Sequence, residues 1–204
     1  MIKRFEGFKE EAIAPSQQLP PGNYVIVVKA VKYVPGDNGK SDRIDMAVDV
    51  AEGEHAGFYQ NQFDASTDED KKWKGKASIW LPDGSGSDAD KRSVRKFNEF
   101  AAFLANANEG YHWDWDETKL KGKKIGAAFR KEWNVDEQSG REFSYTTFAW
   151  FVSAEDVRSG KAKLANEKFR NGATGKIYPA GSPPSGVNEG FMDIKETEEE
   201  GIPF

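Results

Sequence analysis

Two kinds of residue cluster in this chain have the composition of a working site. The first is Tyr111-His112-Trp113-Asp114-Trp115-Asp116, a histidine and two carboxylates set between indoles. One imidazole with two carboxylates is the ligand inventory of a facial-triad metal site, or of a general base with an orienting acid. The second kind recurs along the chain and sets aromatic side chains beside bases. It occurs at Lys32-Tyr33, at Lys71-Lys72-Trp73-Lys74 and Trp80, at Arg130-Lys131 with Trp133, and at Arg141 with Phe143 and Tyr145. Aromatic rings are faces on which nucleobases stack, each stack worth roughly 1–3 kcal/mol, and flanking cations neutralise phosphates.

The two signals differ in weight. The His112 segment follows directly on a predicted helix, where a histidine favours the C-terminal dipole and aromatics cover the end of a core. It is taken as structural, and no catalytic residue, metal or cofactor is assigned. Gly84-Ser85-Gly86-Ser87 lacks the lysine and spacing of a phosphate-cradling loop, and there is no nucleophile-elbow pattern. The chain is not expected to be an enzyme. With six Trp, six Tyr and fourteen Phe, most rings are needed to fill a core. Phe97, Phe100, Phe103, Phe148 and Trp150 are assigned to packing. Trp73 stands apart, because three lysines within two residues of it oppose burial of its loop. On the Arg130-Lys131 strand only one of the two bases points to a given face. His55, in a turn beside Glu54, is expected exposed. Asp45 and Asp49 alternate with apolar residues and are expected on a solvent face.

The elements that position these residues are mainly strands. Residues 1–21 hold Phe5 and Phe8 in a charged setting before Pro15, Pro20 and Pro21, and read as a short helix or an arm. From Gly22 to Tyr33 the chain is rich in β-formers, and Pro35-Gly36-Asp37-Asn38-Gly39 is a turn. Ile44, Met46, Val48 and Val50 then alternate at period 2. Phe58 to Phe63 is predicted as a third short strand, with Lys76 to Trp80 more of the same edge. A long helix is predicted from Asp88, taken as its cap, to about Asn106, with Val94, Phe97, Ala101 and Leu104 as its apolar stripe. Lys123 to Trp133 and Glu142 to Val152 form a hairpin in which Gly126 and Ala128 leave room for a ligand. Ser153 to Lys161 holds a short capped turn. From Leu164 the Gly, Pro, Ser and Asn content is that of a linker.

Strand, strand, strand, helix, strand, strand is the element order of a five-stranded Greek-key barrel of the OB type, with its helix between the third and fourth strands. Residues 22–163 are predicted to form that domain, and 164–204 a flexible linker and tail.

Charge is distributed unevenly. Among residues 189–204 six acids stand against Lys195 alone, so this segment holds the whole net charge of −5 and the rest of the chain is balanced. The last residues, Glu196-Thr-Glu198-Glu199-Glu200-Gly201-Ile202-Pro203-Phe204, follow an acidic run with two apolar side chains around a proline. Such a segment is bait for a partner's pocket, steered by charge to a basic surface. The absence of cysteine removes disulfides and thiolate sites. There is no run of about 18 apolar residues to span a membrane and no signal-like N-terminus. A cytoplasmic protein is the expectation.

This ending resembles the acidic Ile-Pro-Phe tail of bacterial and phage single-stranded DNA-binding proteins. The opening Pro21-Gly22-Asn23-Tyr24, the turn Glu52-Gly53-Glu54-His55-Ala56-Gly57-Phe58-Tyr59 and Leu120-Lys121-Gly122-Lys123-Lys124 are also similar to a family of phage and prophage single-stranded DNA-binding proteins. The resemblance implies an OB fold that coats single-stranded DNA in a bacterial host cytoplasm. It implies recruitment of replication or recombination proteins through Glu198, Glu199, Glu200, Ile202, Pro203 and Phe204. It also suggests self-association. Two other functions fit the residues. One is a barrel-type protein-interaction module without DNA binding, and the other a metal nuclease built on His112, Asp114 and Asp116.

Overall fold

The computed structural model describes residues 18–37, 41–67 and 70–177. The predicted N-terminal arm up to Gln17 and the acidic tail from Tyr178 lie outside the described residues. The structure is mainly β. Strands β1 (Gly22–Val34), β2 (Arg43–Val50), β3 (Lys76–Trp80), β4 (Lys124–Val135), β5 (Glu142–Val152) and β6 (Lys168–Phe169) form one sheet. Its order is β3-β2-β1-β4-β5, with β6 parallel to β4, so the sheet is mixed and stays open between β3 and β5. The helices are α1 (Phe58–Ala65), α2 (Asp88–Ala107) and α3 (Ala154–Arg158), with a 3-10 turn at Glu117–Leu120. Among the described residues no helix is long and apolar enough to cross a membrane.

The chain divides into two compact units. The larger comprises Met1–Arg130 and Thr146–Asn166, the smaller Lys131–Tyr145 and Glu167–Phe204.

In the larger unit the core is built by the period-2 faces of the strands and one stripe of α2. Ile44, Met46, Val48 and Val50 are buried as their alternation requires, with Ile26 and Val28 from β1, and Ile125, Ala127 and Phe129 from β4. The register of β1 against β2 shifts between Val28 and Ala30, a bulge at Lys29 that resets which side chains face out. On α2 the buried positions are Phe97, Phe100 and Leu104, whereas Val94 is exposed. The α2 cap is Ser87, whose hydroxyl accepts from the Asp90 amide, and not Asp88. Asp90 is itself buried and accepts from the amides of Asp83, Gly84 and Gly86, which gives the 83–86 loop its shape.

Three further expectations are corrected within this unit. Phe58 to Phe63 is helix, not strand: the chain reaches it through Gly57 at φ 74°, and of its aromatic residues only Tyr59 is buried. Asp49 explains why the helix forms there. Its side chain is only 3 % exposed and accepts from the Val50 and Tyr59 amides, both at 2.9 Å, so it supplies an anion at the α1 N-terminus. Asp49 is thus no solvent-face residue. The predicted ligand space at Gly126 is filled by backbone, since a Cβ there would sit 2.6 Å from the Val152 carbonyl oxygen and 2.8 Å from that of Ser153.

The smaller unit is the distal end of the β4–β5 hairpin with residues 167–177. β6 pairs Lys168 with Glu132 and Phe169 with Trp133. Glu132 is buried and receives the Arg170 guanidinium and the Tyr145 hydroxyl. Glu142 accepts the successive amides of Thr174, Gly175 and Lys176 together with the Thr174 hydroxyl. Four amide and hydroxyl donors converge on one carboxylate and hold it below the usual range, against a desolvation that pushes the other way. A polar, glycine-bearing stretch that composition assigns to a linker therefore has a defined path as far as Ile177. Its order comes from distant carboxylates that a local window does not contain.

Candidate nucleic-acid interface

The outward side of β1-β2-β3 forms an open trough of about 570 Å³. Antiparallel register lines its side chains into rows that cross the strands. The first row is Ala30, Ala47 and Lys76, the second Lys32, Asp45 and Ser78, and the third Val34, Arg43 and Trp80. Alanine, alanine and serine make a low floor, so a flat or extended ligand can approach the sheet closely. Trp73 and Trp80 are the aromatic side chains that line the trough.

The electrostatics favour an anion. Lys32, Arg43 and Lys76 face a single carboxylate, Asp45, and that carboxylate is already engaged. It accepts from Arg43 Nε at 2.9 Å and from the Ser78 hydroxyl at 2.7 Å. The guanidinium of Arg43 also lies over the Trp80 ring, 5.4 Å from its centroid. Asp45 thereby orients the guanidinium, which braces the indole, and Trp80 remains 44 % exposed.

The trough unites three of the predicted residues, Lys32, Trp73 and Trp80, and adds Arg43 and Lys76, which sequence reasoning missed. The signal was present: Arg43 and Lys76 occupy the outward parity of their strands, but no local pattern shows that they share a face. Trp73 is only partly available. Its Nε1 donates to the Val48 carbonyl at 3.0 Å and its ring lies 5.7 Å from Phe63, so the indole turns inward while its lysine neighbours stay out. Lys71 sits 5.8 Å from the Phe63 ring and Lys72 pairs with Asp70 at 3.2 Å. Lys72 and Lys74 line a separate depression beside Tyr59, Gln62 and Phe63.

Tyr33 does not join Lys32. It lies opposite Ile44, on the parity that faces the core, and its hydroxyl donates to Asp42. That bond raises the phenol and lowers the carboxyl. Arg130 is half-buried on β4 within the larger unit.

Lys131, Trp133, Arg141 and Tyr145 belong to the smaller unit, and two of them do other work. Trp133 is 6 % exposed, stacked 6.4 Å from Phe169, under the Lys131 ammonium at 4.1 Å, with Nε1 donating to Glu167. Tyr145 spends its hydroxyl on Glu132 and stacks on Phe143. Both rings hold this unit together, so the expectation that Trp133 presents a stacking face is corrected. Arg141 is half-buried.

In the His112 segment the two acids have partners within the loop. Lys119 pairs with Asp114, whose carboxyl is held below the usual range by that bond, and Asp116 caps the 3-10 turn through the Thr118 amide at 3.0 Å. His112 is exposed. Among the described residues no group of three His, Asp or Glu is placed to hold a metal ion. His55 is half-buried rather than exposed, edge-on to Tyr24 at 5.8 Å and to Phe58 at 6.4 Å. No protein-family model matches the chain, and no curated protein matches its sequence.

Proposed function

We propose that the β1-β2-β3 trough binds single-stranded DNA without sequence preference, in a unit of the OB barrel type. The observation that carries this is the three-row face, with Lys32, Arg43 and Lys76 around an Ala-Ala-Ser floor and Trp80 at its end. Ring stacking and phosphate neutralisation are indifferent to base identity, so such a face coats rather than reads. The strand order β3-β2-β1-β4-β5, with α2 between β3 and β4, supports the OB assignment, since oligonucleotides bind the strand 2–3 face of that barrel.

The remaining parts of the proposal rest on sequence chemistry. Glu198, Glu199 and Glu200 before Ile202, Pro203 and Phe204, and the resemblance to phage proteins, support a recruiting arm for replication or recombination proteins in a bacterial host cytoplasm. The protein carries out no catalytic step. The open sheet edges at β3 and β5 support self-association.

Tryptophan fluorescence titrated with oligothymidine at two salt concentrations tests the central claim. Quenching that weakens with salt and is reduced in Trp80→Ala is expected. No quenching at low salt would sink the proposal and leave a protein-interaction module in its place.

A further inference from the structure

A second aromatic surface lies in the larger unit, outside the trough. Trp115 is 75 % exposed, the most exposed aromatic side chain among the described residues. Its backbone sits at φ 68°, a left-handed conformation that bulky residues rarely adopt and that costs on the order of 1–3 kcal/mol. The conformation has a clear effect. It lays one indole face on Phe97 of α2, near parallel at 15° and 5.7 Å between centroids, with Trp113 edge-on at 6.2 Å.

The loop is built to keep the ring there. The Asp116 amide donates to Asp114, closing a turn around Trp115, and Lys119 reaches both carboxylates. The two acids that flank the indole are therefore engaged by the same cation.

The helix beneath adds charge in an unusual place. Lys91, Arg92, Arg95 and Lys96 all lie in the N-terminal half of α2, where the helix dipole opposes them, and the last turn has no base. All four are exposed; by helical spacing Lys91 and Lys96 flank the Phe97 stripe, while Arg92 and Arg95 lie toward the opposite face of the helix. Lys91 pairs with Asp88 of the first turn at 3.6 Å, and Arg92, Arg95 and Lys96 add positive charge that suits an anionic ligand.

We infer that Trp115 is a second stacking platform, on which a base of the single strand lies against the indole while the α2 bases hold neighbouring phosphates. The inference rests on the single-strand-binding reading of the trough. Apolar exposure at Trp115, and at Val94 one turn before Phe97, amounts to two side chains. A stable protein interface needs roughly 800 Å² per partner, far more than this surface offers. One base needs one ring face, which is what Trp115 presents.

The test uses the full chain with a short oligothymidine of about six nucleotides and a long one of about thirty, bracketing the roughly 4–16 nucleotides one such fold covers. Trp115→Ala is expected to lower long-oligomer affinity about tenfold, with Trp115→Phe restoring most of it, whereas short-oligomer affinity falls mainly in Trp80→Ala. Equal long-oligomer affinity of wild type and Trp115→Ala, with binding still lost in Trp80→Ala, would overturn the platform and leave the trough standing. Long-oligomer binding that survives Trp80→Ala but not Trp115→Ala would support the platform and remove the trough. If Trp115→Ala instead abolishes binding of a synthetic peptide of residues 196–204 with DNA affinity unchanged, the surface is a peptide-docking face and the inference fails.

Discussion

Arg43 and Trp80 face each other across β2 and β3, with the guanidinium 5.4 Å from the ring centroid and Nε tied to Asp45. In the proposed complex the pair divides the work, Trp80 stacking on a base and Arg43 meeting a phosphate. Trp80→Ala should weaken single-strand affinity about ten- to a hundredfold at all salt concentrations. Arg43→Ala should also reduce the slope of log affinity against log salt by about 1. Titrations over a salt series separate the two effects.

Glu52 joins three parts of the larger unit. It accepts Arg158 Nε and Nη2, each at 2.9 Å, and Lys124 Nζ at 3.0 Å. Hydrogen bonds from Arg158, then Lys124, lower its carboxyl from 4.5 to about 2. The group is more acidic folded than unfolded, so its stabilisation is complete above pH 4.5 and is lost as pH falls toward 2. Because the side chain is about a third exposed, Glu52→Gln should cost only about 1 kcal/mol at neutral pH. Urea unfolding from pH 7 down to 2 should show most of the wild-type advantage lost across that window.

Gly126 lies where β4 passes under the start of α3. A methyl there meets the carbonyl oxygens of Val152 and Ser153, and both are backbone, with no flexible side chain to give way. Gly126→Ala should destabilise by roughly 1–3 kcal/mol or more, read as a drop in urea midpoint without a change in slope. An unchanged midpoint would show that the close approach is not tight.

In the smaller unit, Arg170→Leu removes the Arg170 guanidinium from the buried Glu132 carboxylate. Breaking a fully buried pair costs about 3–5 kcal/mol, and the half-exposed position of Arg170 reduces this to about 2 kcal/mol. Amide exchange within 131–145 should accelerate, while the β1-β2-β3 amides keep their protection.

Much of the architecture is legible in local pattern. The alternation of Ile44, Met46, Val48 and Val50 gives the core face of β2, and the helix over Asp88–Ala107 follows from its apolar spacing. The same periodicity fails at Phe58–Ala65. That segment is short enough to suit strand or helix, and the deciding group is Asp49, ten residues before Tyr59. Trp133 and Tyr145 mislead for a related reason. Beside bases they look like stacking residues, yet Phe169, Glu167 and Glu132 occupy them.

By itself the sequence determines the β-rich composition, the long helix and the gathering of all net charge into the last sixteen residues. These depend on residue type and on spacings within one element. Only the tertiary structure decides that Lys32, Arg43, Lys76 and Trp80 share one face while Tyr33 turns to the other. Membership of a face is set by strand register across loops of unrelated length. A single bulge at Lys29 shifts that register, and no local window contains both partners.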